Sequence, residues 1–79
     1  MNRSEQIALA AELLMISTEQ AKNNCGRIDE LSAMYFSIPV KGGGSLIIGD
    51  DCGVLYADSS VGYKRHVEAF KQGIRTPLE

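Results

Sequence analysis

The residues best suited to chemistry lie in the stretch VKGGGSLIIGDDCGVLYAD, residues 40–58, which holds three consecutive glycines, two adjacent aspartates and a cysteine. Glycines that follow a lysine can cradle a phosphate, because unhindered backbone N–H groups and an ammonium group both bind anions. A cysteine next to aspartates can act as a nucleophile or as a metal ligand. The surrounding elements decide whether this stretch forms a site or a pair of turns.

The three glycines are predicted to form a hairpin turn. A phosphate-binding loop leads from a strand into a helix whose N-terminus faces the anion, whereas residues 42–44 lead into the strand-like run 46–48. A weaker anion site stays open, because the next hairpin returns the chain to the same end of the sheet, where a second helix is predicted to begin. The residues proposed to line that site are Lys41, Gly43, Ser60 and Lys64.

Cys52 and His66, with Asp58 as an orienting carboxylate, have the residue types of a thiol–imidazole catalytic pair. Cys52 and Asp58 fall at opposite ends of a predicted strand, about 20 Å apart at about 3.3 Å per residue. The three aspartates lack the alternate spacing of a calcium loop, and one histidine with two distant cysteines does not make a zinc set. We therefore expect no enzymatic activity, no metal and no cofactor.

Composition restricts the class of protein and its partners. The 79 residues have a net charge of −2 and are 44% hydrophobic, which is typical of one small globular domain without a general attraction to nucleic acid. The longest apolar run, residues 7–16, is too short to span a bilayer, so no membrane association is expected. Two cysteines are too few for a secreted disulfide framework, which favours a cytoplasmic location. Residues 78–79 are interpreted as a cloning remnant, leaving a single domain over residues 1–77.

Two helices are predicted, over residues 5–24 and 61–72. Asn2 and Glu5 have the spacing of a capping box at the start of the first helix, and no glycine or proline interrupts it before Gly26. The second helix is predicted to start after a serine cap and to direct Lys71, with Arg75 beyond it, toward the two aspartates of the turn at residues 50–53. Such exposed ion pairs contribute only about 0–1 kcal/mol each.

Three strands are predicted, over residues 33–40, 46–48 and 54–57, where apolar residues alternate or cluster with β-branched and aromatic ones. A loop at residues 42–44 would place Ile38 opposite Ile48, and a four-residue turn at 50–53 would put Leu55 and Ala57 on the core face. The fold class is thus predicted to be α+β, in the order α-β-β-β-α, with a three-stranded antiparallel meander and both helices packed on one face. The predicted centre of the core consists of Leu14, Phe36, Ile48, Val67 and Phe70.

The order α-β-β-β-α resembles that of double-stranded RNA-binding domains. In that family the second helix begins with a lysine cluster that reaches phosphates, and the corresponding stretch here, SSVGYKRH, offers Lys64 and Arg65. The resemblance covers the order of elements and implies RNA binding as an alternative function. The acidic chain argues against a nucleic acid partner.

Apolar residues that the predicted fold leaves uncovered give the leading functional hypothesis. The outer sheet face and a second stripe of the first helix would both be exposed, and surface of this kind marks a binding partner. We predict a non-enzymatic protein–protein interaction module that forms a homodimer or binds another protein, comparable to bacterial immunity, adaptor and small regulatory proteins. A small anion- or ligand-binding protein is the other alternative. The predicted contact residues are Tyr35, Ile47, Val54, Tyr56, Leu9 and Leu13.

Overall fold

Helices cover both faces of a four-stranded sheet in the computed structural model of the chain, which describes residues 1–38, 44–58 and 60–76. The strands form one antiparallel meander in the order β1-β2-β3-β4. The predicted α+β class is confirmed, with one strand and one helix more in these ranges than the sequence indicated. In chain order the elements are α1 (Arg3–Leu14), α2 (Thr18–Asn23), β1 (Cys25–Ile28), β2 (Ala33–Ser37), β3 (Ser45–Gly49), β4 (Val54–Ala57) and α3 (Tyr63–Lys71).

The helix predicted over residues 5–24 is broken into α1 and α2 at Met15. Met15 adopts the left-handed conformation, with φ of 58°, and the backbone N–H of Ile16 donates to the carbonyl of Ala11, which closes α1 in the manner of a Schellman motif. Ser17 then starts α2 through a capping box with Gln20. The sequence signal for the break was this second capping box rather than a glycine or proline.

The β2–β3 hairpin has the predicted faces but a different register. Met34 lies opposite Ile48, and Ile38 donates its backbone N–H to the carbonyl of Gly44 instead of lying opposite Ile48. The register therefore differs from the predicted one by four residues. An even shift returns each side chain to the same face, so the apolar residues of β2 still share a face with Leu46 and Ile48.

The β3–β4 turn is one residue shorter than predicted, and this reverses the faces of β4. Cys52, with φ of 75°, adopts the left-handed conformation in this turn, and Gly49 donates its N–H to the carbonyl of Gly53. Val54 consequently lies opposite Ile48, and Leu55 lies opposite Ile47. A one-residue shift moves every side chain of a strand to the other face, so the prediction for Leu55 was wrong.

The two helical layers lie on opposite faces of the sheet, which corrects the prediction that both helices pack on one face. Residues of α1 and α2 pack in one cluster with Phe36, Leu46 and Ile48, whereas Phe70 of α3 packs in a second cluster with Ile47. Every residue of β3 is buried. Since β3 is apolar on both faces, a helix layer on one side alone would leave half of it in water.

Removing buried side chains from the two layers should destabilise the protein by similar amounts. Phe36 and Ile47 are both 0% exposed but lie on opposite faces. We expect Phe36→Ala to lower the free energy of unfolding by about 3–5 kcal/mol and Ile47→Ala by about 2–5 kcal/mol. Urea denaturation measures both, with the exposed Leu13→Ala as the matched control. A mild effect at Ile47 would contradict the assignment of α3 to its own face.

Candidate functional site

The structure divides the six predicted contact residues between the two faces of the sheet. Tyr35 and Ile47 lie on the α3 face, where Ile47 is fully buried. The ring of Tyr35 is half-buried and packs edge-on against Tyr63 of α3, with ring centroids 4.9 Å apart. A docking surface that uses Tyr35 and Ile47 together is therefore covered by α3, and this part of the prediction was wrong.

The other four predicted contact residues belong to the α1 face. Leu9 packs against the same cluster as Val54, and Tyr56 shares the face of Val54 because both alternate with Leu55 along β4. The opposite side of α1, at Ile7 and Ala8, lines a groove with α2 instead. At 100° per residue, Leu9 and Leu13 thus lie on the side of α1 that points away from α2, toward β4.

Leu13 and Tyr56 also lie at the same level of the sheet. The side-chain amide of Gln6, near the start of α1, donates to the carbonyl of Ile48 at 3.0 Å, so α1 begins near the end of β3 and its later turns lie over the start of β3. Leu46, in the first half of β3, is the neighbour of Tyr56. We call the surface formed by Leu9, Leu13, Val54 and Tyr56 the α1–β4 patch.

The α1–β4 patch combines a buried floor with exposed sides. Val54 is only 2% exposed, whereas Leu13 is 39% and Tyr56 46% exposed. The ring of Tyr56 lies across Gly44, where an added Cβ would collide with the tyrosine ring and hydroxyl. Gly44 therefore allows the ring to lie against β3 instead of standing out from the sheet.

The predicted anion site is supported at neither of the two positions that the structure describes. The backbone N–H and hydroxyl of Ser60 both donate to the carboxylate of Asp58, which engages the donors that an anion would need. Lys64 is exposed near the start of α3. Lys41 and Gly43 lie outside the described residues.

His66 is a buried connection between α3 and the sheet. Its residue surface is 1% exposed, its Nδ1 lies 3.0 Å from the hydroxyl of Ser45, and its Nε2 lies 2.7 Å from the carbonyl of Leu55. The carbonyl can only accept, so Nε2 carries the proton and the Ser45 hydroxyl donates to Nδ1. Burial lowers the pKa of His66 below its usual value. Both ring nitrogens are therefore engaged within the fold, and His66 is not paired with Cys52, which lies exposed in the β3–β4 turn.

Asp50, at the end of β3, binds polar side chains from two elements, β1 and α1. Its carboxylate accepts two hydrogen bonds from the guanidinium of Arg27, at 2.9 and 2.8 Å, and a third from the amide of Gln6. The hydrogen bonds from Arg27 are the main cause that lowers the pKa of Asp50 to about 2.

Arg75 was predicted to pair with the aspartates of the turn at residues 50–53, and this prediction was wrong. Its guanidinium group lies over the ring of Phe70 instead, 3.6 Å from the ring centroid.

Other chemistry is not apparent in the part of the chain that the structure describes. Those residues contain no group of three or more histidine, cysteine or acidic side chains that could hold a metal ion. No helix within the same ranges has the length and apolar character needed to cross a membrane. A comparison with protein-family models, curated proteins and solved structures finds no match to the chain.

The sequence did not reveal the structural role of three polar residues that organise the fold, which are Gln6, Arg27 and His66. Gln6 interrupts an apolar stripe one turn before Ala10, and His66 lies one turn before Phe70, so both positions fall on buried helix faces. Buried polar side chains need hydrogen-bond partners, and that requirement was the available signal. Arg27 had no comparable signal, because Asp50 lies 23 residues away in the sequence.

The buried neutral state of His66 should make stability depend on pH in a defined window. Its pKa is lowered in the folded protein, so the unfolded chain takes up a proton first as the pH falls below about 6.5. Stability should be constant above that pH and decrease as the pH falls toward the folded pKa. Urea denaturation between pH 7.5 and 5.5 tests this, because His66 is the only histidine in the chain. His66→Gln should remove the dependence, and an unchanged midpoint in the parent across this range would contradict the assigned burial.

Replacing Asp50 should destabilise the protein more than replacing Asp51. Asp50→Asn removes the negative charge and one of the two carboxylate oxygens that accept from Arg27, whereas Asp51 accepts a hydrogen bond from the backbone of Gly53 at the exposed turn. The lowered pKa of Asp50 means that its stabilisation is present above about pH 3.8 and is lost as the pH falls toward about 2. Denaturation midpoints at pH 6 and pH 2.5 should show a difference between Asp50→Asn and parent that shrinks at the lower pH. Equal effects of Asp50→Asn and Asp51→Asn at pH 6 would refute the specific role of the Arg27 pair.

Proposed function

We propose that the protein is an interaction module that binds another protein through the α1–β4 patch. The observation that supports this is the incomplete helical layer on the α1 face. That layer consists of α1 and α2, with α1 over β2 and β3 and α2 leading directly into β1. β4 at the other edge has no helix of the described chain over Tyr56, so the apolar side chains of Tyr56 and of Leu13 on α1 remain exposed.

The charge around the patch indicates the kind of segment that would fill it. Glu5 and Glu12 follow the side of α1 next to Leu9 and are exposed, and exposed Asp58 follows Tyr56 by two residues. Acidic residues beside exposed apolar side chains favour a partner with apolar anchors and basic flanks. An amphipathic helix that carries lysine or arginine at its borders meets both requirements.

Tyr56 and Leu13 are the expected anchors of this contact. Tyrosine supplies a large apolar ring and a hydroxyl at low conformational cost, which is why it recurs at the centres of interfaces. Leu13 lies beside it with more than a third of its surface exposed. Val54 and Leu9 would form the floor and require no rearrangement to accept a ligand, since both already pack in the core.

The proposal can be tested by placing the photo-crosslinking residue benzoylphenylalanine at Leu13 and, as a control, at Ala8. Both positions are exposed on α1, but Ala8 lies on the α2 side, away from the patch. A protein that crosslinks from Leu13 and not from Ala8 in extracts of the source organism is then purified for a direct titration.

We expect Leu13→Lys to weaken the affinity of the purified partner at least about tenfold, because it places a charge in a desolvated contact, whereas Ala8→Lys should bind like the parent. Tyr56→Ala should weaken binding comparably. Circular dichroism checks that each variant keeps the parent fold. Equal affinity of Leu13→Lys, Tyr56→Ala and parent, or crosslinking from both positions alike, would overturn the assignment of the patch.

A further inference from the structure

The outer edge of β1 carries unpaired backbone groups. The carbonyl of Asn24 accepts a hydrogen bond from the backbone N–H of Ser37. Because hydrogen-bonded residues alternate along an antiparallel strand, the backbone groups of Gly26 and Ile28 also point toward β2. The N–H and C=O groups of Cys25 and Arg27 must therefore point away from the sheet. Within the ranges that the structure describes, no backbone group bonds to them.

The opposite edge of the sheet is closed by the chain itself. Thr76 donates its backbone N–H to the carbonyl of Val54 at 2.7 Å and accepts the N–H of Tyr56 on its hydroxyl at 2.9 Å. Val54 and Tyr56 are the residues of β4 whose backbone groups point away from β3, and Thr76 thus bonds to one backbone group of each. Among the residues that the structure describes, nothing pairs with the outer edge of β1, so this edge is able to pair with another strand.

Side chains leave the β1 edge accessible. Gly26 is exposed and has no atom within 4 Å of the position that a Cβ would take. Arg27 is held by its two hydrogen bonds to Asp50, and the thiol of Cys25 donates to the carbonyl of Lys22. Both flanking side chains are therefore engaged with their own chain instead of standing across the edge.

We infer that β1 pairs with β1 of a second copy of the chain, antiparallel and with the two-fold axis at Gly26. This register places Cys25 of one copy opposite Arg27 of the other, so their outward N–H and C=O groups form two reciprocal pairs of hydrogen bonds. The two Gly26 residues meet at a non-hydrogen-bonded position, where Cα atoms approach to about 4.5 Å and the lack of side chains is an advantage. The result is a continuous eight-stranded sheet, and the bonded β4 edges end its growth.

Charge complementarity favours a second copy as the occupant. Lys22 lies in the last turn of α2, just before β1, and the turn just after β1 carries Asp29 and Glu30, all exposed. Antiparallel pairing about Gly26 brings the start of each β1 beside the end of the other. The basic end of α2 in each copy then lies next to the acidic turn of its partner, at both ends of the contact.

The interface is expected to be small, because β1 has four residues. Stable protein–protein contacts bury about 800 Å² on each partner, and a single short strand pair covers less, so dimerisation should be weak and visible only at high concentration. The α1–β4 patch lies at the other edge of the sheet and would stay free. The dimer can therefore form or fail independently of the function proposed above.

Sedimentation equilibrium up to millimolar concentration tests the dimer with a matched pair of variants, Arg27→Pro and Arg27→Ala. Both remove the bonds to Asp50, but only proline also removes the outward N–H, which is not part of the β1–β2 ladder. We expect the parent to dimerise, Arg27→Ala to retain dimerisation, and Arg27→Pro to weaken it at least about tenfold. Equal association of the two variants, or a parent that stays monomeric at millimolar concentration, would overturn the inference.

A charge exchange and a disulfide test the register. Lys22→Glu and Glu30→Lys should each weaken dimerisation, and the double variant should restore it, because opposite charges face each other again.

In a Cys25→Ala, Cys52→Asn background, Gly26→Cys should form a reducible dimer on oxidation, whereas Ala8→Cys, at an exposed position of α1, should not. Failure of the double variant to recover, or equal crosslinking from both positions, would exclude pairing about Gly26 and leave the edge to a different strand.

Discussion

The burial of β3 on both of its faces is the constraint on which the rest of the structure depends. All five residues of β3 are buried, with Leu46 and Ile48 on one side and Ile47 on the other. A strand of this kind needs a layer of apolar side chains on each face. The chain supplies α1 and α2 for one layer and α3 for the other. The pairing register of the other strands, which begins at β3, determines which of their side chains point to each layer.

Each helical layer is also fixed to β3 by one buried polar side chain. His66 of α3 bonds to Ser45 at the beginning of β3, and Gln6 of α1 bonds to the carbonyl of Ile48 near its end. A single hydrogen bond adds only about 0.5–1.5 kcal/mol to stability, but an unsatisfied buried group costs more, so each helix is restricted to the position in which its polar residue is bonded. Within the described chain, no buried side-chain nitrogen or oxygen lacks a partner.

The same arrangement explains where surface is left for binding. On the α1 face, α1 lies over β2 and β3, and the apolar side chains of Leu13 and Tyr56 remain exposed. The C-terminal segment bonds to the edge of β4 through Thr76, while the edge of β1 stays open. Within the described residues, exposed apolar side chains thus lie at one side of the sheet and unpaired backbone groups of β1 lie at the other.

The sequence by itself determined the class of fold and the local patterns. Alternation along residues 34–38 predicted the core face of β2, and the even register difference preserved that face; the Asn2–Glu5 pair predicted the start of α1. These features depend on near neighbours and on side-chain period, which a sequence displays directly. The same patterns showed that Leu9 and Leu13 lie outside the main apolar stripe of the first helix. They also showed that the strand containing Val54 and Tyr56 carries apolar residues on both of its faces.

Tertiary structure decided which of those residues share a surface. The left-handed conformation of Cys52 shortened one turn by a residue and moved Val54 and Tyr56 to the α1 face, away from Tyr35 and Ile47. Strand β1 is too short to show a period, and it exists because β2 offers it a hydrogen-bonding edge. The pair Arg27–Asp50 and the burial of His66 likewise join residues that are distant in the chain. Such features follow from the packing of whole elements against β3, and local propensity does not encode that packing.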